Sequence, residues 1–384
     1  MYRLTDEQQH VVALAKTAAD TVIGPAAARV DQDGTFPRES LAALGAHGLL
    51  GLNVPTAYGG LGQGLRTMAA VLDVIAQRCG STAMVYMMHL SAVGCYVAAA
   101  DRVGPLLREV AAGRHLATLA FSERGSRSNF WAPVSRAVRA DDGHVRITAD
   151  KSFVTSAGHA DGYVVSTLSA AAASPVASTI YAVRADDPGL TVQGTWRGLG
   201  LRGNASAPMS LSDVRLGSER ALSADGHGLD LVLGVVLPAF QVGSAAVAIG
   251  MAEAALEATI AHVTTARLEH TNSRLSDLPN LRSQIARMRI ETDRARAHLN
   301  LVLESLETPG PATQLLVLEA KAAATETAVL VTDLAMRTCG GAAFGGAHGI
   351  ERFFRDARAP IVMAPTTDHA HEFIGRALCG MEVF

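Results

Sequence analysis

Cysteine is sparse in this chain: four residues in 384, at Cys79, Cys95, Cys339 and Cys379, with no CxxC pair and no cluster of histidines beside them. That spacing indicates neither a zinc site nor a disulfide framework, so no metal is expected and a reducing cytoplasm is the expected compartment. Basic runs are also missing. With 33 Lys+Arg against 36 Asp+Glu the net charge is -3, and no stripe suited to following phosphates is present, so nucleic acid is not an expected partner. The opening segment, MYRLTDEQQHVVALAK, lacks the basic stretch and apolar run of an export signal. No internal repeat is evident. One uncharged run, Leu231 to Ala252, is 22 residues long, enough to cross a bilayer. Its Gly234, Pro238, Gln241, Gly243, Ser244 and many alanines suit a helix packed inside a protein, and no membrane span is expected.

What is present is apolar content. At 49% hydrophobic the chain can bury a large core, and its length suits two or three domains. Apolar residues recur at helical spacing in DEQQHVVALAKTAADTVI and LRTMAAVLDVIAQ, with a Gly/Pro-rich connector, Val54 to Gly64, between them. From about 116 to 222 the character changes: HVRITAD, GYVVSTL, STIYAVRA and MSLSDVRL are short Val/Ile/Thr/Tyr-rich runs separated by Gly, Asp and Pro. SAAAASPVAS reads as a solvated turn between two strands. Helical periodicity then returns, first in a buried helix and then in a long amphipathic pair that ETPGPAT breaks into an antiparallel hairpin. The reading is an α+β chain with an N-terminal helical domain over 1–115, a central β domain over 116–222 and a C-terminal helical domain over 223–384.

Four motifs in this order give the pattern a family resemblance. AFSERGSRSNFWAPVSRA (Ala120 to Ala137), KSFVTSAGHAD (Lys151 to Asp161), WRGLGLRGNASAPMSLSDV (Trp196 to Val214) and MRTCGGAAFGGAHGIERFFRDAR (Met336 to Arg358) resemble segments of the acyl-CoA dehydrogenase flavoproteins. That resemblance implies the family's architecture, an N-terminal helical bundle, a central β domain and a C-terminal four-helix domain. It implies an oxidoreductase of lipid metabolism that binds FAD and acts on acyl-CoA or another acyl thioester. A homodimer or homotetramer and electron-transfer flavoprotein as a partner are implied with it. By position, Phe121 and Ser122 would face the flavin ring and Ser128 the pyrophosphate. Phe153 and Thr155, two apart on a strand, would share a face and form the ring wall. Gly340 and Gly341 would let backbone approach the FAD phosphates of a neighbouring subunit, with Arg337 beside them. Thr366 and Asp368 align with further FAD contacts.

The resemblance breaks where the family keeps its base. In MAPTTDHAHEFIG (Met363 to Gly375) the glutamate position holds Ala364, followed by Pro365, and the alternative base position on the earlier helix holds Phe240. The family's FAD-binding arginine is displaced by one residue at Arg267, about 100 degrees around a helix. Three readings follow: a dehydrogenase with a relocated base, an FAD-dependent monooxygenase or oxidase on the same scaffold, and a non-catalytic subunit of a heteromer. For a relocated base the choice is His89, whose helix borders the acyl pocket in the family, with His369, His371 and Glu372 just past Ala364 as further candidates.

Overall fold

The computed structural model describes residues 2–383 apart from 128, 172, 173, 175 and 347. The chain begins with helices α1 (Asp6–Ala18), α2 (Gly24–Gln32), α3 (Arg38–Ala46), α4 (Leu65–Ala76), α5 (Gly80–Ala98) and α6 (Ala100–Ala111). Thr5 starts α1 through a capping box with Gln8, which satisfies two helix-end amides at once. α4 and α5 are almost wholly buried, as their apolar sequences require.

Strands then follow: β1 (Ala117–Ala120), β2 (Ala137–Arg139), β3 (Val145–Val154), β4 (Gly162–Leu168), β5 (Ser178–Arg184), β6 (Leu190–Val192) and β7 (Ala207–Leu216). They form two sheets, ordered β1-β4-β5 and β2-β3-β7-β6. β1 runs parallel to β4, with Ala117 opposite Gly162. The remaining pairs are antiparallel, and β3 slips register against β7 between Lys151 and Val154. Ile147, Val154, Tyr163, Val183, Met209 and Val214 fill a core belonging to this β unit.

The C-terminal part comprises α7 (Gly228–Leu231), α8 (Leu237–Thr265), a small hairpin of β8 (Arg267–Leu268) and β9 (Ser273–Arg274), α9 (Pro279–Glu307), α10 (Thr313–Cys339), α11 (Gly341–Phe344), α12 (Ile350–Asp356), α13 (Ala359–Val362) and α14 (Thr367–Leu378). Among the described residues two helical stretches are long and apolar enough to cross a bilayer, Asp6–Gln32 and Gly228–Thr265; the second has 78% of its apolar window buried inside the protein. α8 is the central rod of the molecule, packed on α4, α5, α9 and α10. Gly250 explains part of this closeness, because a Cβ there would lie 2.4 Å from the carbonyl oxygen of Asp73. The N-terminal and C-terminal helices thereby share one continuous apolar core, separate from that of the β unit.

Candidate functional site

β1 delivers the first motif. Phe121, just beyond its end, is buried and Ser122 is half-buried. The carbonyl of Ser122 accepts the amide of Ser152 at 2.9 Å, and Glu123 bridges to Lys151. Two segments far apart in sequence are thus laced together. Lys151 Nζ donates to Glu123 Oε1 at 2.5 Å and to the Ser166 carbonyl at 2.6 Å. The other carboxylate oxygen accepts the amides of Val134 at 2.6 Å and Ser135 at 2.8 Å, and the Ser135 hydroxyl donates to the same group. Burial pushes the Glu123 carboxyl up, but the Lys151 ammonium and these hydrogen bonds outweigh it and hold the carboxyl below its usual range. Ser128 lies outside the described residues.

The expected shared face of Phe153 and Thr155 does not form. The register slip in β3 puts Phe153 at φ 56°, and its ring is 71% exposed whereas Thr155 is 3% exposed. Period-two alternation holds only for a regular strand, and the bulge resets it. Thr155 Oγ1 lies 3.2 Å from Ser206 Oγ. An aromatic ring turned into solvent from a left-handed backbone position is costly for the chain alone and is what a stacking ligand would use.

The loop after β1 reaches the C-terminal helices through rings. Phe130 meets Trp131 edge-on with centroids 5.2 Å apart, and Trp131 meets Phe373 of α14 at 5.3 Å. Thr366 caps α14, its hydroxyl accepting the His369 amide at 3.2 Å and keeping its own proton free to donate. Asp368 is exposed in the first turn of that helix. The backbone just before it is held from below by Lys321 of α10, which is fully buried and donates to the carbonyls of Met363 at 2.8 Å and Pro365 at 2.5 Å. Burial lowers this amine from the ordinary 10.5 to about 7. Between the two carbonyls stands Ala364.

His89 does not serve as the expected base. It is fully buried, Nδ1 accepts the Ala117 amide at 3.0 Å and Nε2 donates to the Leu50 carbonyl at 2.8 Å. Both ring nitrogens are spent tying α5 to β1, and burial lowers the imidazole from 6.5 to about 4. The helical position alone could not reveal that two backbone groups meet it there. Among the other candidates, His369 stacks on Phe373, His371 Nε2 lies 3.4 Å from Glu326, and Glu372 lies 3.9 Å from Arg376. Phe240 is buried on α8.

Arg337, Gly340 and Gly341 lie elsewhere. Gly340 follows Lys321 by 19 residues on α10, about 28 Å at 1.5 Å per residue. The chain therefore does not gather these three with Phe121, Phe153 and Thr366. Gly340 needs its lack of a side chain for φ 56°, while a Cβ on Gly341 would meet nothing within 4 Å. Arg267 is exposed on β8 and donates to Asn272 at 2.9 Å. Lys321 and the Glu123–Lys151 pair are buried polar contacts that the motif reading left without a role. The available signal for Lys321 was a single charged residue in the otherwise apolar face of LLVLEAKAAATETAVLV.

Comparison with known proteins follows this geometry. Models of the acyl-CoA dehydrogenase N-terminal, middle and C-terminal domains match residues 5–100, 118–214 and 226–379. A probable acyl-CoA dehydrogenase of Bacillus subtilis is 28% identical over 382 residues, 98% of this chain and 99% of that protein. A cyclohex-1-ene-1-carbonyl-CoA dehydrogenase of Syntrophus aciditrophicus is 28% identical over 384 residues, covering 98% of this chain and 91% of the relative. Among solved structures, butyryl-CoA dehydrogenase from Megasphaera elsdenii superposes with a TM-score of 0.90 at 21% identity, over 99% of this chain and all of that one, a likeness of fold.

Proposed function

Because the chain belongs to the acyl-CoA dehydrogenase family, we propose that it is an FAD-dependent oxidoreductase acting on an acyl thioester without the usual carboxylate base. The observation that carries this reading is the Met363–Thr366 segment, positioned by Lys321 and the α14 cap yet presenting only the methyl of Ala364. The scaffold for the reaction is kept while its proton acceptor is gone.

The residues present fit the cofactor. Phe153 offers an exposed ring, Phe121 and Ser122 frame the opposite strand end, and Thr155 and Thr366 carry hydroxyls for polar ring atoms. Asp368 and the α14 N-terminus stand beside Thr366. Ser128 keeps its proposed place at the pyrophosphate. Arg337, Gly340 and Gly341, remote within the chain, would serve the phosphates of a second copy, which makes a homodimer or larger assembly part of the proposal. Bound FAD would supply the acceptor for the hydride from the thioester's β-carbon, and with alanine at residue 364 the α-proton would pass to water. The chain's own work is to hold the thioester, and the Phe130, Trp131 and Phe373 rings close the side between the β1 loop and α14.

A second reading is favoured by the same alanine: an oxygen-using flavoenzyme on this scaffold, whose chemistry does not need a carboxylate at that position. Anaerobic mixing of the FAD-loaded protein with a panel of acyl-CoAs separates the two. Slow flavin bleaching without oxygen is expected for the dehydrogenase. Absence of bleaching by substrate, with substrate-dependent oxygen uptake once the flavin has been reduced with dithionite, would replace it with the second reading. A protein that fails to take up FAD at all would overturn both.

A further inference from the structure

Lys321 is among the largest fully buried side chains in the molecule, and burial is the whole cause of its lowered basicity. At pH near 7 much of it is therefore neutral, with two N–H groups, and two carbonyls accept from it, those of Met363 and Pro365. These carbonyls flank Ala364, the position at which the proposed function lacks its carboxylate. A second buried polar group lies in the same interface. Gln241 of α8 is fully buried and neither atom of its amide has a partner, a deficit that disfavours the folded state.

The register of the helices relates the two. α8 and α10 run parallel, since α9 returns antiparallel between them. Thr259 of α8 contacts the Cys339 thiol of α10. Gln241 precedes Thr259 by 18 residues and Lys321 precedes Cys339 by 18 residues, five full turns in each case. Equal whole-turn steps from one contact place Gln241 level with Lys321 on the facing sides of the two helices.

We propose that Lys321 is a positioning residue that fixes the Met363–Thr366 backbone at the reacting face through its two carbonyl contacts. The contacts stand on geometry alone; what they serve rests on the flavoenzyme reading. Thr366 follows directly from the clamped carbonyls, so a loosened clamp would move both the flavin-contact hydroxyl and the floor beneath the thioester.

Hydrogen exchange of residues 361–368, measured on the full chain without added FAD, tests the clamp independently of cofactor binding. Lys321→Met keeps the packing volume and removes the donors; exchange in this segment is expected to rise at least about tenfold while α4 and α5 stay protected, and Lys321→Arg is expected to restore part of the protection. Where Lys321→Met does not fold, Lys321→Gln decides: it keeps a shorter donor, and a smaller local rise is expected. FAD titration then gives the functional arm: at least about tenfold weaker binding and an altered shape of the bound-flavin absorbance in Lys321→Met. Unchanged exchange at 361–368 in both variants, or a rise spread evenly over the molecule, would overturn the proposal. A wild type that binds no FAD would overturn the flavoenzyme reading and leave the exchange result to judge the clamp.

Discussion

The ammonium of Lys151 and the carboxylate of Glu123 meet at 2.5 Å with both side chains almost completely shielded from water. The pair joins β3 to the loop that follows β1, and so sets the spacing of Ser122 against Phe153. Removing one member leaves the other charge buried and unpaired, which typically costs about 3 to 5 kcal/mol. Lys151→Met and Glu123→Gln are each expected to lower the free energy of urea unfolding by that amount. The double variant is expected to lose less than the sum, which a double-mutant cycle measures.

Ala364→Glu is expected to raise the rate of anaerobic flavin reduction by straight-chain acyl-CoAs. A positioned base contributes about 10²- to 10⁴-fold, and the segment carrying residue 364 is already clamped. Stopped-flow absorbance measures the effect. A wild type already as fast as the variant would refute the role assigned to the missing carboxylate.

His89 acts on stability rather than on the proton of the substrate. His89→Ala breaks two buried backbone contacts and is expected to cost about 2 to 4 kcal/mol in denaturant unfolding. Activity at a temperature where the variant is fully folded should change little. Complete loss of turnover in the folded variant would restore His89 as the base.

The same residue gives a pH dependence of known sign. Its folded value of about 4 lies below the ordinary 6.5, and that of His115 lies at about 3 for the same reason, burial. Between pH 6.5 and 4 the unfolded chain binds protons that the folded chain refuses. The contribution of these two histidines is therefore complete above 6.5 and falls as pH drops through this window, by up to about 1.4 kcal/mol per pH unit for each. Wild type measured at pH 7 and pH 5 should show the loss, and His89→Leu should show a shallower slope.

Phe153 separates folding from cofactor binding. Its ring is exposed and its backbone sits at φ 56°, a position costing a non-glycine residue about 1 to 2 kcal/mol. Phe153→Gly is expected to stabilise the FAD-free protein by about 1 kcal/mol while weakening FAD retention. Fluorescence titration of FAD and thermal unfolding read the two effects separately. Weakened stability with unchanged FAD affinity would remove Phe153 from the ring wall.

Much of this molecule was legible in the chain. Helical periodicity marks α4, α8, α9 and α10 because an apolar stripe must repeat every three to four residues to face a core, and the change to β-branched runs marks the middle unit. The buried helix within 231–252 was readable from its small residues, and the alanine at 364 from the motif around it. Contacts set by packing were not legible. The bulge that turns Phe153 away from Thr155 depends on how β3 meets β7. His89 became a structural tie because Leu50 and Ala117, distant in sequence, bring a carbonyl and an amide to its two nitrogens. Lys321 gained a role because a loop more than 40 residues later folds its carbonyls over the amine. Local sequence fixes which face of an element is apolar; only the assembled fold decides which buried polar atoms find partners, and the chemistry of this site lies in those partners.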